Sequence, residues 1–151
     1  MDTGHTALQL RLDALPAPTR PLVAVLPFTS NTGGEALRLL GNELADRLRE
    51  RLARVPALQA ILISSDFLAK APPHAVELIC RELRVGHLIS GKCHPTGDQP
   101  SVYIELTDTR DWHIRWAEFL PGGARSLLAE DSEALEAMVS EVRHELVHMR
   151  R

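Results

Sequence analysis

Residues 22–64 read LVAVLPFTSNTGGEALRLLGNELADRLRERLARVPALQAILIS, and this stretch decides the fold. It begins with one continuous apolar run, LVAVLPF at 22–28, and ends with another, LQAILIS at 58–64. Strands that are buried on both faces, as in parallel sheets, show continuous apolar runs rather than alternation. Between the runs a helix is predicted over about 35–54, because leucines recur there at spacings of three and four residues: Leu37, Leu40, Leu44, Leu48 and Leu52. The stretch therefore predicts two parallel strands joined by a right-handed helical crossover.

The chain beyond this unit predicts an α/β domain. A second helix is expected at about 74–84 and a strand at 85–93, whereas SSDFLAKAPP between them is interpreted as a loop. Further strands are predicted at 101–108 and 112–120, with a closing helix at about 131–149. The order β-α-β-α-β-β-β-α indicates a mixed sheet of about five strands in two or three layers, with the first strand between the second and third.

The first 20 residues are predicted to be separate from this domain. ALQLRLD at 7–13 alternates apolar and polar side chains, which predicts an extra N-terminal edge strand. LPAPTRP at 15–21 has three prolines and is interpreted as a stiff linker. We therefore expect an N-terminal arm and linker at 1–20 and the α/β domain at 21–151. An edge strand at 7–13 also raises the hypothesis of a homodimer formed by strand pairing.

Composition limits the class of protein. The 151 residues are 44% hydrophobic and 25% charged, as in ordinary globular proteins, and the formal net charge of −3 argues against general nucleic-acid binding. No run approaches the ~20 apolar residues of a membrane helix, and no signal peptide opens the sequence. We expect a cytoplasmic protein, or a periplasmic one if a membrane anchor precedes it. The two cysteines, Cys80 and Cys93, are expected to be reduced core residues.

Several motifs together resemble one known family. VAVLPF at 23–28 resembles the IAVLPF that opens the TolB-like amino-terminal domain family. Three later segments are similar, in the same order, to further motifs of that family: LADRLRERLARVPALQAILISSDF (44–67), RELRVGHLISGKC (81–93) and LTDTRDWHIRWAE (106–118). The resemblance covers roughly residues 21–148.

The resemblance implies an anticodon-binding-like α/β fold and a module without catalytic residues or cofactor. Such domains accompany winged-helix DNA-binding domains, adenylate cyclase domains or helical repeats in bacterial regulators, and relatives occur in envelope proteins. The sequence departs from the family pattern in four places. Ala57 and Arg84 replace usual glycines, Asp111-Trp112 stands where a Thr-Gly turn is common, and SNTGG at 30–34 replaces an acidic stretch.

The segment HELVH at 144–148 matches the zinc-peptidase motif H-E-x-x-H. In such a site His144 and His148 would bind zinc and Glu145 would act as general base. Helical periodicity argues against this reading, because it places both histidines opposite the apolar stripe of the closing helix, which consists of Leu135, Met138, Val139, Val142, Leu146 and Met149. We expect adventitious metal binding at most, and a zinc-dependent hydrolase stays open as an alternative.

A Gly-rich loop between the first strand and the first helix is the other candidate site. It matches neither the P-loop nor the dinucleotide-binding pattern, so a turn with Thr32 or a glycine capping the helix is the favoured interpretation. If a small ligand binds, we expect it at the carboxyl ends of the parallel strands. The side chains and backbone expected to converge there belong to Ser30, Asn31, Gly33, Gly34, Ser64 and Asp66.

Trp112, Ile114 and Trp116 are predicted to share one face of the last strand, and burial beneath a helix is the favoured reading over an interaction surface. Taken together, the sequence favours a non-enzymatic regulatory or interaction domain of a bacterial signalling or transcription-regulatory protein. Its partner would be a protein, a neighbouring domain or a small effector, with no direct DNA contact. A nucleotide or nucleic-acid binding module is the remaining alternative.

Overall fold

The computed structural model describes residues 20–31, 34–95 and 99–149. The predicted strand at 7–13, and with it the homodimer hypothesis, lies outside the described residues. Five strands and five helices occur within the described part. In chain order they are β1 (Leu22–Val25), α1 (Glu35–Ala53), β2 (Gln59–Leu62), α2 (Ser65–Lys70), α3 (Ala75–Leu83), β3 (His87–His94), β4 (Ser101–Asp108), β5 (His113–Leu120), α4 (Ala124–Leu128) and α5 (Glu133–Met149).

The strands form one sheet in the order β2-β1-β3-β4-β5. β1 pairs in parallel with β2 on one side and with β3 on the other, whereas β3, β4 and β5 are antiparallel neighbours. The predicted mixed α/β sheet with the first strand between the second and third is therefore confirmed.

Helices cover one face of the sheet along its whole width. The apolar side of α1 packs there through Leu44, Leu48 and Leu52, beside Met138 and Leu146 of α5. The sheet contributes alternate residues of its strands to this cluster: Val23, Val25, Ile89, Cys93, Val102, Ile104 and Leu106. This is the main hydrophobic core, and it matches the leucine periodicity from which α1 was predicted.

The other face of the sheet is covered over only part of its width. A second, smaller cluster packs α3 onto the β1–β3 side through Ala24, Ile63, Cys80, Val85 and Leu88. Since this cluster includes no residue of β4 or β5, the domain has three layers over its parallel part and two layers over its antiparallel part.

A close backbone contact seats α1 against the end of β1. The Phe28 amide donates a hydrogen bond to the Gly41 carbonyl oxygen at 3.2 Å. A Cβ atom on Gly41 would stand 1.9 Å from the Phe28 carbonyl oxygen, so only glycine fits here. The Phe28 side chain, 3% exposed, belongs to the main core.

Two short helices were not predicted. The segment SSDFLAKAPP, interpreted as a loop, contains α2, and the loop prediction was wrong for its first half. The Phe67 amide donates to the Ser64 hydroxyl at 3.2 Å, which makes Ser64 the N-cap of this helix. The other short helix, α4, follows the Pro-Gly-Gly segment at 121–123, and its Leu127 side chain packs in the main core.

Candidate functional site

The closing helix α5 places its apolar stripe as the sequence predicts. Five residues of that stripe are buried: Leu135, Met138, Val139, Val142 and Leu146. His144 lies on the exposed side of the helix, and the side chain of His148 is outside the part that the structure describes. Within the described residues, no group of three or more His, Cys, Asp or Glu side chains is placed to hold a metal ion.

A cavity lies at the carboxyl end of β1, the place where a small ligand was expected. It has a volume of about 510 Å³ and is lined by Ser30 and Gly34, together with residues that the sequence did not single out: Pro27, Phe28, Thr29, Glu35, Arg38, Asn42 and Ser65. Ser64 lines an adjoining cavity of about 400 Å³ instead. Asn31 is exposed and lines neither cavity, and Gly33 lies outside the described residues. The structure thus brings Ser30 and Gly34 together and places Ser65 where Ser64 was expected.

Electrostatics in this crevice do not favour a free anion. Glu35, in the first turn of α1, binds the Arg38 guanidinium, and their hydrogen bond lowers the pKa of Glu35 and raises that of Arg38. Asp66 also acts on Arg38, through its charge. Gly34 is the N-cap of α1 and offers no side-chain cap, as the favoured turn interpretation expects. The cationic group of the crevice is thus already occupied by a carboxylate of the same helix.

A buried acidic group that the sequence analysis did not single out lies at the opposite end of the sheet. The Asp108 carboxylate is fully buried and accepts hydrogen bonds from Arg110 Nε at 3.1 Å, Arg110 Nη2 at 2.8 Å and the Arg110 amide at 2.9 Å. Arg115 Nη2 lies 3.5 Å from the same carboxylate. The Arg110 hydrogen bonds hold the pKa of Asp108 well below its usual range, despite its burial. This cluster fixes the turn between β4 and β5.

His87 stands opposite Asp108 in the β3–β4 register and is only 7% exposed. Neither ring nitrogen has a hydrogen-bond partner among the described residues. Burial lowers the pKa of His87, and the nearby Asp108 charge only partly opposes this. His87 is the first residue of β3, and the sequence alone does not show whether a histidine at a strand end is buried or exposed.

A β-bulge changes the predicted pattern of β5. Leu106 pairs with Trp116 but Thr107 pairs with Ile114, so Arg115 is an extra residue. Trp116 therefore points to the main core and is half-buried, whereas Ile114 points to the other face and is 54% exposed. Trp112, in the turn before the strand, is 42% exposed. The prediction that the three side chains share one buried face was wrong, because the bulge reverses the side-chain alternation between Ile114 and Trp116.

Apolar side chains lie on the uncovered side of β3, β4 and β5, Ile114 because of the bulge and Phe119 by the ordinary alternation from Trp116. We call this surface the open face; its residues are Lys92, Tyr103, Glu105, Ile114, Ala117 and Phe119. Phe119 is 50% exposed, and its ring centroid lies 6.2 Å from that of His94. The Tyr103 hydroxyl donates to Glu105 at 3.2 Å. No residue of the second core cluster comes from β4 or β5, so these side chains face outward in the described chain.

Neither cysteine is placed for chemistry. Both thiols are free and buried, as expected, Cys80 in the second core and Cys93 in the main core. Burial raises the pKa of Cys80, and it raises the pKa of Cys93 to about 11. A thiol that stays protonated at neutral pH is a poor nucleophile.

No protein-family profile matches the chain. Among curated proteins, the chain is 25% identical over 130 residues to the putative adenylate cyclase 3 of Rhizobium meliloti (strain 1021), an alignment covering 85% of this chain and 22% of that protein. The chain thus spans about a fifth of the length of that relative. No helix in the described residues is long and apolar enough to cross a membrane.

Among solved structures, the C-terminal domain of LpoB from Escherichia coli superposes with a TM-score of 0.50 at 15% identity, over 76% of this chain and 91% of that one. TolB from Acinetobacter baumannii matches with a TM-score of 0.47 at 14% identity, over 83% of this chain and 27% of that one. The chain therefore has a fold like that of the LpoB C-terminal domain.

Proposed function

We propose that this chain is a non-enzymatic regulatory and interaction domain of a bacterial signalling or transcription-regulatory protein, and that it binds a protein partner through the open face. The observation that carries the proposal is the exposure of Ile114 and Phe119 on the part of the sheet face that α3 leaves uncovered. Sheets with one solvated face normally carry polar side chains there, and contiguous exposed apolar side chains mark interaction sites.

The composition of the open face fits a protein surface as the occupant. Two large apolar side chains lie on the edge strand, and Tyr103, Lys92 and Glu105 add polar groups beside them. Exposed aromatic and apolar side chains beside polar groups are the usual composition of a protein–protein interface. The similarity to 22% of a putative adenylate cyclase supports a role as a module within a larger regulatory protein.

The non-enzymatic part of the proposal is supported by how the reactive groups are used. The Asp108 carboxylate is saturated by Arg110, and the cysteine thiols are buried in apolar surroundings. His144 lies on an exposed helix surface rather than in a walled cleft. Catalytic groups need a partly enclosed site in which their geometry and protonation are controlled.

The test compares variants with matched exposure. Ile114→Ser and Phe119→Ser each remove one of the two large apolar side chains of the open face. Leu39→Ser on α1 is the control, because Leu39 is as exposed as Ile114, at 54%. Proteins crosslinked in cells to the wild-type chain are identified, and each candidate is purified and titrated. We expect a partner whose Kd rises at least about tenfold with the open-face variants and is unchanged by Leu39→Ser, as for loss of interface anchors.

The proposal fails if no crosslinked protein depends on Ile114 or Phe119, or if Leu39→Ser weakens binding equally. Sedimentation of the purified chain identifies the case in which the partner is a second copy. In that case the open-face variants would shift the dimer to monomer and Leu39→Ser would not.

A further inference from the structure

A small cavity lies between the end of α3 and the turn that joins β4 to β5. Its volume is about 260 Å³, and its lining comes from Glu77, Cys80, Arg81, Arg84, Val85, Thr109 and Trp112. Thr109 connects the two sides of the cavity. The Thr109 hydroxyl donates to the Val85 carbonyl at 2.6 Å, and the Thr109 amide donates to the Gly86 carbonyl at 3.1 Å. We call this the Arg84–Trp112 cavity. It is at the opposite end of β1 from the predicted ligand crevice.

Two lining residues have backbone conformations that favour glycine. Arg84 has φ 58° and ψ 43°, and Trp112 has φ 60°. Only one other described non-glycine residue, His74, has a positive φ. A bulky side chain in the left-handed region is destabilising, and such positions cluster at functional sites.

The backbone hydrogen bonds at these two positions do not depend on the two side chains. Arg84 ends α3, where its amide donates to the Arg81 carbonyl at 3.3 Å and the Val85 amide donates to the Cys80 carbonyl at 2.8 Å. Trp112 closes the β4–β5 turn by donating its amide to the Asp108 carbonyl at 2.7 Å. All of these are backbone groups, so glycine would make the same hydrogen bonds without strain. The arginine and the tryptophan therefore contribute something other than local structure.

The cavity combines a net positive charge, from two arginines and one glutamate, with apolar surface. Neither Arg81 nor Arg84 forms an ion pair within the described residues. Glu77, the acidic lining residue, lies 3.8 Å from His74. Cys80 and Val85 are apolar and almost fully buried, and the Trp112 ring is exposed beside them. Guanidinium groups bind carboxylates and phosphates in a two-pronged manner, and an indole ring offers a flat apolar surface.

We propose that the Arg84–Trp112 cavity binds a small organic anion, a carboxylate or phosphate on a single ring or short apolar body. Arg81 and Arg84 would hold the anionic group, and Trp112 would pack on the apolar body. The volume sets the size of the ligand, since sites for drug-sized molecules occupy roughly 300–1,000 Å³. The site is separate from the open face.

The test uses Trp112 as the reporter. The chain has two tryptophans, so Trp116→Phe leaves Trp112 as the single fluorophore. Phenylacetate and phenyl phosphate are titrated separately, which distinguishes carboxylate from phosphate recognition, with neutral phenylacetamide and inorganic phosphate as controls. We expect saturable change with a Kd of about 1 mM or lower for at least one organic anion. The neutral analogue should bind at least about tenfold more weakly, as expected for loss of a charge-assisted pair.

Glycine substitutions separate binding from stability. Arg84→Gly and Trp112→Gly should raise the Tm and weaken anion binding at least about tenfold, measured by calorimetry. Arg54→Gly is the control, because it removes an arginine that does not line the cavity and whose φ of −81° involves no left-handed conformation. It should leave binding unchanged and should not raise the Tm. The proposal is overturned if neither organic anion saturates the site, if Arg84→Gly binds like wild type, or if the two glycine variants lower the Tm.

Discussion

Substitution of Gly41 by alanine should destabilise the domain strongly, although alanine is the better helix former. Gly41 lies inside α1, and an added Cβ would stand 1.9 Å from the Phe28 carbonyl oxygen and 2.9 Å from its carbon. Both atoms belong to the backbone and cannot rotate away. The helix must therefore move by about 1.5 Å to restore an ordinary contact, which disturbs the packing of Leu44 and Leu48 on the sheet.

The magnitude follows from three contributions. Overpacking a well-filled core costs about 3 kcal/mol when the backbone must shift. The hydrogen bond from the Phe28 amide to the Gly41 carbonyl contributes about 1 kcal/mol. Alanine regains about 1 kcal/mol through helix propensity. We expect a net loss of about 3 kcal/mol, which lowers the Tm of a domain of this size by about 6–12 °C.

Urea denaturation of the wild type and two variants measures this loss. Gly86→Ala is the matched control, because a Cβ at Gly86 would meet nothing within 4 Å. It should change the free energy of unfolding by no more than about 0.5 kcal/mol. If Gly41→Ala also stays within that range, the close approach of α1 to Phe28 does not exist in solution and the reasoning from it is refuted.

Three other predictions follow from the buried histidine and the closing helix. Unfolded His87 takes up a proton near its ordinary pKa of 6.5, whereas burial lowers the pKa of the folded residue. The neutral, buried His87 therefore contributes its full stability above pH 6.5, and this contribution is lost as the pH falls through the folded pKa. Urea midpoints from pH 8 to pH 5 should fall less for His87→Leu than for wild type, and parallel curves would contradict this. Leu146→Ala should lower the free energy of unfolding by about 2–5 kcal/mol, because Leu146 is 1% exposed. His144→Ala, on the exposed side of the helix, should change it by less than about 0.5 kcal/mol, and urea denaturation measures both. Purified protein should contain far less than one zinc per chain by elemental analysis; stoichiometric zinc, with a peptidase activity lost in Glu145→Gln, would favour the hydrolase alternative.

The sequence predicts well the parts of the fold that depend on repeated burial. The apolar run at 22–28 and the leucine spacing of α1 predict which side chains are buried, and the structure confirms them. The run at 58–64 also forms a strand, but the predicted burial on both faces was wrong, because β2 is an edge strand whose four residues are half-buried or exposed. The short α2 was missed because six residues hold too little periodicity to distinguish a helix from a loop. Its N-cap serine, Ser64, was the available signal.

The errors at the candidate sites concern contacts between segments, which a local sequence pattern does not show. The bulge at Leu106/Thr107 depends on how β5 pairs with β4, and no local pattern shows that Arg115 is extra. The position of a crevice was predicted from chain topology, and Ser30 and Gly34 line a cavity at that position. Chain topology could not show that the Glu35 carboxylate would form an ion pair with Arg38. For Arg84 and Trp112 a signal was present, since both stand at positions where the resembled family has a glycine turn.

The bulge in β5 also has a consequence for solubility at high concentration. An edge strand with unpaired amides and carbonyls is a template on which further chains can add, and growth of that kind needs an unbroken alternation of side chains along the strand. In β5 the extra Arg115 interrupts that alternation and places a charged side chain beside Ile114. Continuous pairing of a neighbouring chain along β5 is therefore interrupted at the bulge. The irregularity that exposes Ile114 thus also opposes fibril growth from the strand that carries it.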